Sequence, residues 1–315
     1  MKQSKANYQR GAALLLIVAA LIMSAAWLSY ELMGGLGQKL KRQNAQEVAQ
    51  VLAEAKENLL IFASMQPELY PSTILGNVPG IGYLPPGDFD NDGRMGTFNP
   101  TSFNQNTNTS NVIGRLPAVN RDASPNFYFY TRNCATIGTP CSLDDITSIW
   151  YAMSGRNASG NPRLVSRMEP LNSQTMMTQL DANADGLLNV SDCSTAGVVC
   201  LDGIPVVAIL IASGSPLAGQ DRTNQTDFTQ YLDMNNSDAN LYNFSSRFPV
   251  GQVCPIDATR PDRCFNDQVI AITYTDWQRF MERRVTSDTD FASLCLGTLQ
   301  GTHWLSRNGW SFLCP

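Results

Sequence analysis

The chain has 315 residues, of which 43% are hydrophobic and 16% charged, and its formal net charge is −5. That length holds one large or two small domains, the apolar content argues against disorder, and the acidic balance argues against a protein that grips nucleic acid through clustered Lys and Arg. The charge is uneven: Lys2, Lys5, Lys39, Lys41 and Lys56 are the only lysines, and residues 1–56 carry +4 while the remainder carries −9. A basic start joined to an acidic body suggests that the two parts meet different surroundings.

From Gly11 to Tyr30 no residue is charged, and twenty helical residues span roughly the 30 Å hydrocarbon core of a bilayer. Lys2, Lys5 and Arg10 precede this run, which places that end in the cytoplasm and the acidic body outside. A secretory signal peptide has a shorter apolar core and a small-residue cleavage site, and Ser24-Ala25-Ala26-Trp27 matches such a site poorly. The junction Gln9-Arg10-Gly11 followed by Ala12-Ala13-Leu14-Leu15-Leu16-Ile17-Val18 resembles the leader of type IV pilin-like proteins. The resemblance implies cleavage after Gly11 by a prepilin peptidase, a mature and methylated Ala12, and assembly with other pilin or pseudopilin subunits from the inner membrane. Family members mostly begin with Phe or Met and carry Glu as the fifth residue, where this chain has Ala12 and Leu16. A carboxylate in the membrane needs a partner. A subunit that starts a filament has no predecessor to supply one, so Leu16 favours a tip position. The other reading is an uncleaved anchor carrying a periplasmic or surface binding module.

Gly34, Gly35 and Gly37 interrupt the helix, each at about 1 kcal/mol relative to Ala. Helical spacing resumes with Val48, Leu52, Ala55, Leu59 and Phe62, opposite Glu47, Gln50, Glu54 and Glu57, so one stripe can pack on a head. The fold expected is α+β: a long N-terminal transmembrane and amphipathic helix packed on a disulfide-rich antiparallel β-sheet head, the lollipop layout of pilins. Its parts are a leader over 1–11, the helix over 12–64 and the head over 65–315.

Within the head, Phe127–Thr131, Ile149–Met153, Ile204–Ile211 and Gln268–Tyr274 read as strands, the third buried on both faces, and Thr275–Val285 reads as a helix. Asn308-Gly309 between Trp304–Ser306 and Trp310–Leu313 signals a hairpin. Phe98 to Asn111, rich in Asn, Thr and Ser, reads as a surface loop. The eight cysteines fall into close pairs, Cys134/Cys141, Cys193/Cys200, Cys254/Cys264 and Cys295/Cys314. An even count on the outward side suggests disulfides in an oxidising compartment. Nearest-neighbour pairing is the expectation, with other pairings and free thiols as alternatives.

Two segments place carboxylates at alternate positions, so that successive side chains can converge on one hard cation while Gly makes the turn. Asp181, Asn183, Asp185, Gly186 and Asn189 match positions one, three, five, six and nine of a twelve-residue calcium loop, Leu187 stands at the carbonyl position, and Asp192 closes it. Asp88, Asp90, Asp92 and Gly93 repeat the first half, with Asn99 at position twelve. Calcium is the expected ligand, and a solvated Asp/Gly turn is the alternative for each.

Ala55–Ala63, Gly82–Asp88, Gly114–Pro117, Ile149–Ser154, Gly214–Gln220 and Phe265–Asp267 together look like a family of large prepilin-like bacterial proteins. Other chemistry finds little support. Gly214–Asp221 follows a buried strand as a phosphate loop would, but Gln220 stands where the phosphate-neutralising lysine belongs. The single His, His303, leaves no His-based metal cluster and makes a Ser-His-Asp triad unattractive. No spacing selects a catalytic carboxylate pair, so an enzyme is not expected. Trp150, Tyr151, Trp277, Trp304 and Trp310 are read as core.

Overall fold

A computed structural model describes residues 23, 43, 45–65, 81–85, 87–88, 93, 113–120, 127–129, 149–155, 171, 173–195, 197–238, 242–254 and 264–287. The chain divides into two compact units, residues 1–49 and 50–315. Apart from the first residues of helix α1 (45–64), the elements below belong to the second unit.

The fold is α+β. The main sheet has four strands in the order β1 (Ile113–Arg115), β4 (Ile149–Met153), β7 (Ala208–Ala212) and β9 (Gln268–Ile272), with every neighbouring pair antiparallel. Its register sets Trp150 against Ile211 and Ile209 against Ala271. Side chains alternate across a strand, so Ile113, Trp150, Ala152, Ile209 and Ile211 share one face, and Phe228, Tyr231, Leu232 and Phe244 pack against it. The opposite face carries Ile149, Tyr151, Leu210 and Ile272, all buried. Both faces are therefore covered, which explains why all five residues of β7 are buried.

A second pair joins β2 (Val119–Asn120) to β3 (Phe127–Tyr128). A small three-stranded sheet has the order β6 (Ile204–Pro205), β5 (Cys200–Leu201), β8 (Asn243–Phe244), and β5 and β8 run parallel. The expected strand Ile204–Ile211 is thus two strands in two sheets. The crossing point is visible in the backbone: Val206 N–H donates to Val199 O in the small sheet, whereas Val207 N–H donates to Ile272 O and its carbonyl accepts from Ser154 N–H. The Ser154 hydroxyl holds the crossing, donating to Val206 O and accepting from Val199 N–H.

Helix α3 (Tyr274–Ser287) starts one residue before the expected Thr275 because Thr273 and Asp276 form a reciprocal cap. Thr273 Oγ1 accepts from Asp276 N–H at 3.1 Å and Asp276 Oδ2 accepts from Thr273 N–H at 3.1 Å. Lys56 of α1 completes this end, with Nζ 2.7 Å from Asp276 Oδ2 and 2.8 Å from Ala271 O. Burial pulls the Asp276 carboxyl up, but hydrogen bonds from Lys56 and Thr273 outweigh it and hold the group below the ordinary carboxylate range. Phe62 of α1 packs among Phe127 and Phe129, with ring centres 5.0 to 5.4 Å apart.

The expected N-terminal helix requires correction. The first described helix begins at residue 45, and the long apolar helix that defined the lollipop layout is not present among the described residues. None of the described helices is long and apolar enough to cross a membrane. What the head stabilises is the amphipathic stretch whose apolar stripe it buries: Leu52, Ala55, Leu59, Phe62 and Ala63 are at most 3% exposed. An isolated helix gains little from propensity alone and depends on such packing. The surface loop expected over 98–111 and the hairpin expected around Asn308-Gly309 lie outside the described residues.

Candidate functional site

Helix α2 (Ser173–Leu180) runs directly into the Asp181–Asp192 loop, and Asp181 N–H still donates to Met177 O at 2.8 Å. From there each acidic or amide side chain turns the chain by accepting a nearby backbone N–H. Asp181 Oδ1 accepts from Asp185 and Oδ2 from Gly186, at 3.1 and 2.7 Å. Asn183 Oδ1 accepts from Asp185, Asp185 Oδ1 from Leu187, and Asn189 Oδ1 from Ser191, at 2.8 to 2.9 Å. Gly186 takes φ +82°, a conformation that an L side chain resists. The loop is therefore held as a tight coil by bonds from its own side chains.

Asp192 holds the two ends together. It is fully buried, its Oδ1 accepts from Ala182 and Asn183 N–H, and its Oδ2 accepts from Asn189 N–H. A carboxylate offers about four lone-pair sites. Asp192 has given three to backbone donors, whereas Asp185 gives two, one of them to the Asn189 side chain. Among the described residues, no three His, Cys, Asp or Glu side chains come together as a metal group. A calcium ion here would draw on Asp181 and Asp185 together with Asn183, Asn189 and the Leu187 carbonyl. Asp192 would act chiefly as the fastener. That donor set, all oxygen and with a Gly turn, fits a hard cation.

The other acidic loop repeats the first step. Asp88 is buried, its Oδ2 accepts from Gly93 N–H at 2.8 Å, and Gly93 takes φ +77°. Asp88 is also bound through both backbone groups to Arg115 in β1, and Gly93 O accepts from Ala118 N–H at 3.0 Å. Both ends of this turn are thus pinned to one stretch of chain. Asp90 and Asp92 lie outside the described residues.

Cys193, next to Asp192, is joined to Cys200 of β5, and Cys254 is joined to Cys264. These are two of the nearest-neighbour pairs. Cys134, Cys141, Cys295 and Cys314 lie outside the described residues, as do Gly11, Ala12, His303, Trp304 and Trp310. Trp150, Tyr151 and Trp277 are buried core side chains. The Gly214–Asp221 loop turns its Gln220 side chain inward, where Oε1 accepts from Leu217 N–H and Nε2 donates to Asp233 Oδ1.

Two features were not anticipated. Arg115 is buried with its guanidinium 4.1 Å above the Trp150 ring and 4.5 Å from that of Tyr231, and it donates to Gln225 O. Asp233 and Asp267 are both buried in one network with Asn236, Gln220 and Arg222. The signal available beforehand was slight: Asp233 follows Tyr231-Leu232, and Asp267 precedes a β-branched run. Comparison with family models, with curated proteins and with solved structures returns no match for this chain.

Proposed function

We propose that the chain is a structural subunit of a bacterial type IV pilin-like filament, a minor pilin or pseudopilin of a type IV pilus or a type II secretion system. In this reading it is cleaved after Gly11, held in the inner membrane by the apolar segment that follows, and carries an exported head stabilised by calcium at Asp181–Asp192. Its partners are the prepilin peptidase and neighbouring subunits. The carrying observation is the conjunction of a basic, Gly-ended leader before an uncharged run from Ala12 to Tyr30 with cysteines joined as disulfides further along the chain. Disulfides persist in oxidising compartments, which agrees with the outward placement inferred from the positive leader. In this reading the role is structural.

Ala12, where the family mostly has Phe or Met, favours a second reading: an uncleaved membrane-anchored binding protein. Intact-mass measurement of the membrane-extracted chain separates the two. The filament reading expects a mature protein beginning at Ala12 and carrying one added methyl group, and expects Gly11→Glu to block that processing. Retention of Met1 through Gly11 in the mature protein overturns it in favour of the anchor.

A further inference from the structure

Asp233 and Asp267 are 2% and 5% exposed, and buried carboxylates require either a counter-charge or a proton. Their hydrogen bonds are unevenly shared. Asp233 Oδ1 accepts from Gln220 Nε2 at 3.0 Å and Oδ2 from Asn266 N–H at 2.7 Å. Asp267 Oδ2 accepts from Asp233 N–H at 2.9 Å and from Asn236 Nδ2 at 3.0 Å, while Asp267 Oδ1 is buried with no hydrogen-bond donor. An anionic oxygen that is buried there without a protein donor is costly, so it is where a proton binds first.

The nearby cation does not replace that proton. Arg222 donates to Gly214 O, Gln220 Oε1 and Tyr231 O and stacks on the Tyr231 ring at 4.9 Å, so these donors do not go to the carboxylates. Its charge still favours the ionised form of both. The remaining groups packed on the pair, Asn236, Gln220 and the Ser245 backbone that Asn236 bridges, are neutral. Burial first, and the charge of Asp233 second, push the Asp267 carboxyl up to about 7, and burial likewise raises Asp233.

The pair also sits at a mechanical junction. Asp233 immediately precedes the 3-10 turn Met234–Ser237, and Asp267 immediately precedes β9. Met234 takes φ +48°, a strained value for a long side chain that persists only while surrounding contacts enforce it. The contact beside it is the Asp233 N–H bond to Asp267. We propose that Asp233 and Asp267 form a proton-loaded latch: a proton on the Asp267 carboxyl keeps the buried pair from carrying two negative charges and so fastens residues 220–238 to the start of β9, and its loss to solvent loosens that segment from the main sheet. The sign follows from linkage. A carboxyl whose folded pKa lies above its unfolded value contributes stability that is complete below the unfolded value near 3.8 and is lost as pH rises through about 7.

Hydrogen exchange on the full-length chain tests this, with intrinsic rates corrected for pH. Protection of the Asp233, Asn266 and Ser245 amides is expected to fall at least tenfold between pH 5.5 and 8.5 while Leu210 in β7 is unchanged, and Asp267→Asn is expected to remove the pH dependence. Constant protection in the wild type, or full pH dependence retained in Asp267→Asn, overturns the latch. Should that variant fail to fold, carboxyl carbon NMR of the wild type decides: a titration near neutrality supports the proposal, and full ionisation of both groups from pH 5 upward overturns it.

Discussion

Trp277 is fully buried, and its indole N–H donates to Gly82 O at 2.9 Å. The approach is possible only because residue 82 has no side chain: a Cβ there would stand 2.8 Å from Trp277 Cζ2 and 3.0 Å from Leu171 O, and the backbone is already at φ +99°. Overpacking a core typically costs about 1–3 kcal/mol, and the left-handed backbone adds about 1 kcal/mol for an L side chain. Gly82→Ala is therefore expected to lower the unfolding free energy by about 3 kcal/mol in urea titration. A loss below about 0.5 kcal/mol would show that the tryptophan can move aside. The burial of Trp277 agrees with its reading as a core aromatic. The demand on Gly82 was not legible in the sequence, because its dihedral and its neighbours are set by chain segments nearly two hundred residues apart in sequence.

Local spacing carries furthest where an element is closed by its own residues. In the loop from Asp181 to Asp192, alternating oxygen-bearing side chains each accept an N–H two to five residues away, so the pattern in sequence and the coil in space express the same constraint. The Asp202-Gly203 turn between β5 and β6, with positive φ at both residues, is an equally local two-residue hairpin signal, whereas the division of Ile204–Ile211 into two strands is not local. What hid the division was tertiary: Val206 bonds to one sheet and Val207 to another, a choice that no periodicity records. At the loop, three carboxylates within twelve residues repel one another unless a cation draws them together. Calcium at 1 mM is expected to raise the melting temperature by several degrees over a chelator-treated sample, and Asp185→Ala to abolish the difference without unfolding the protein. Asp192→Ala is expected to destabilise the protein even in chelator, because it removes acceptors for three backbone amides. Equal melting with calcium and with chelator would leave the loop as an Asp/Gly turn.

At the scale of the molecule, the net charge of −5 hides a division between a basic start and an acidic, lysine-free remainder after residue 56. In the acidic part, one face of the four-stranded sheet is covered by Val199, Val206, Phe228, Tyr231, Leu232 and Phe244, which small sheets, 3-10 turns and a disulfide tie down more than long helices do. The two bridges close loops with sequence separations of 7 and 10. In the chain-entropy account such short loops are worth about 2.5 kcal/mol each. Replacing Cys193 and Cys200 together by Ser is expected to lower stability by about that amount and to weaken calcium stabilisation as well, since Cys193 fixes the position of Asp192. Replacing Cys254 and Cys264 together by Ser should lower stability by a similar amount with the calcium response intact. Paired urea titrations with calcium and with chelator read both effects. If the Cys193/Cys200 replacement leaves the calcium increment unchanged, the disulfide acts on the unfolded chain alone and the loop keeps its shape through the Asp192 bonds.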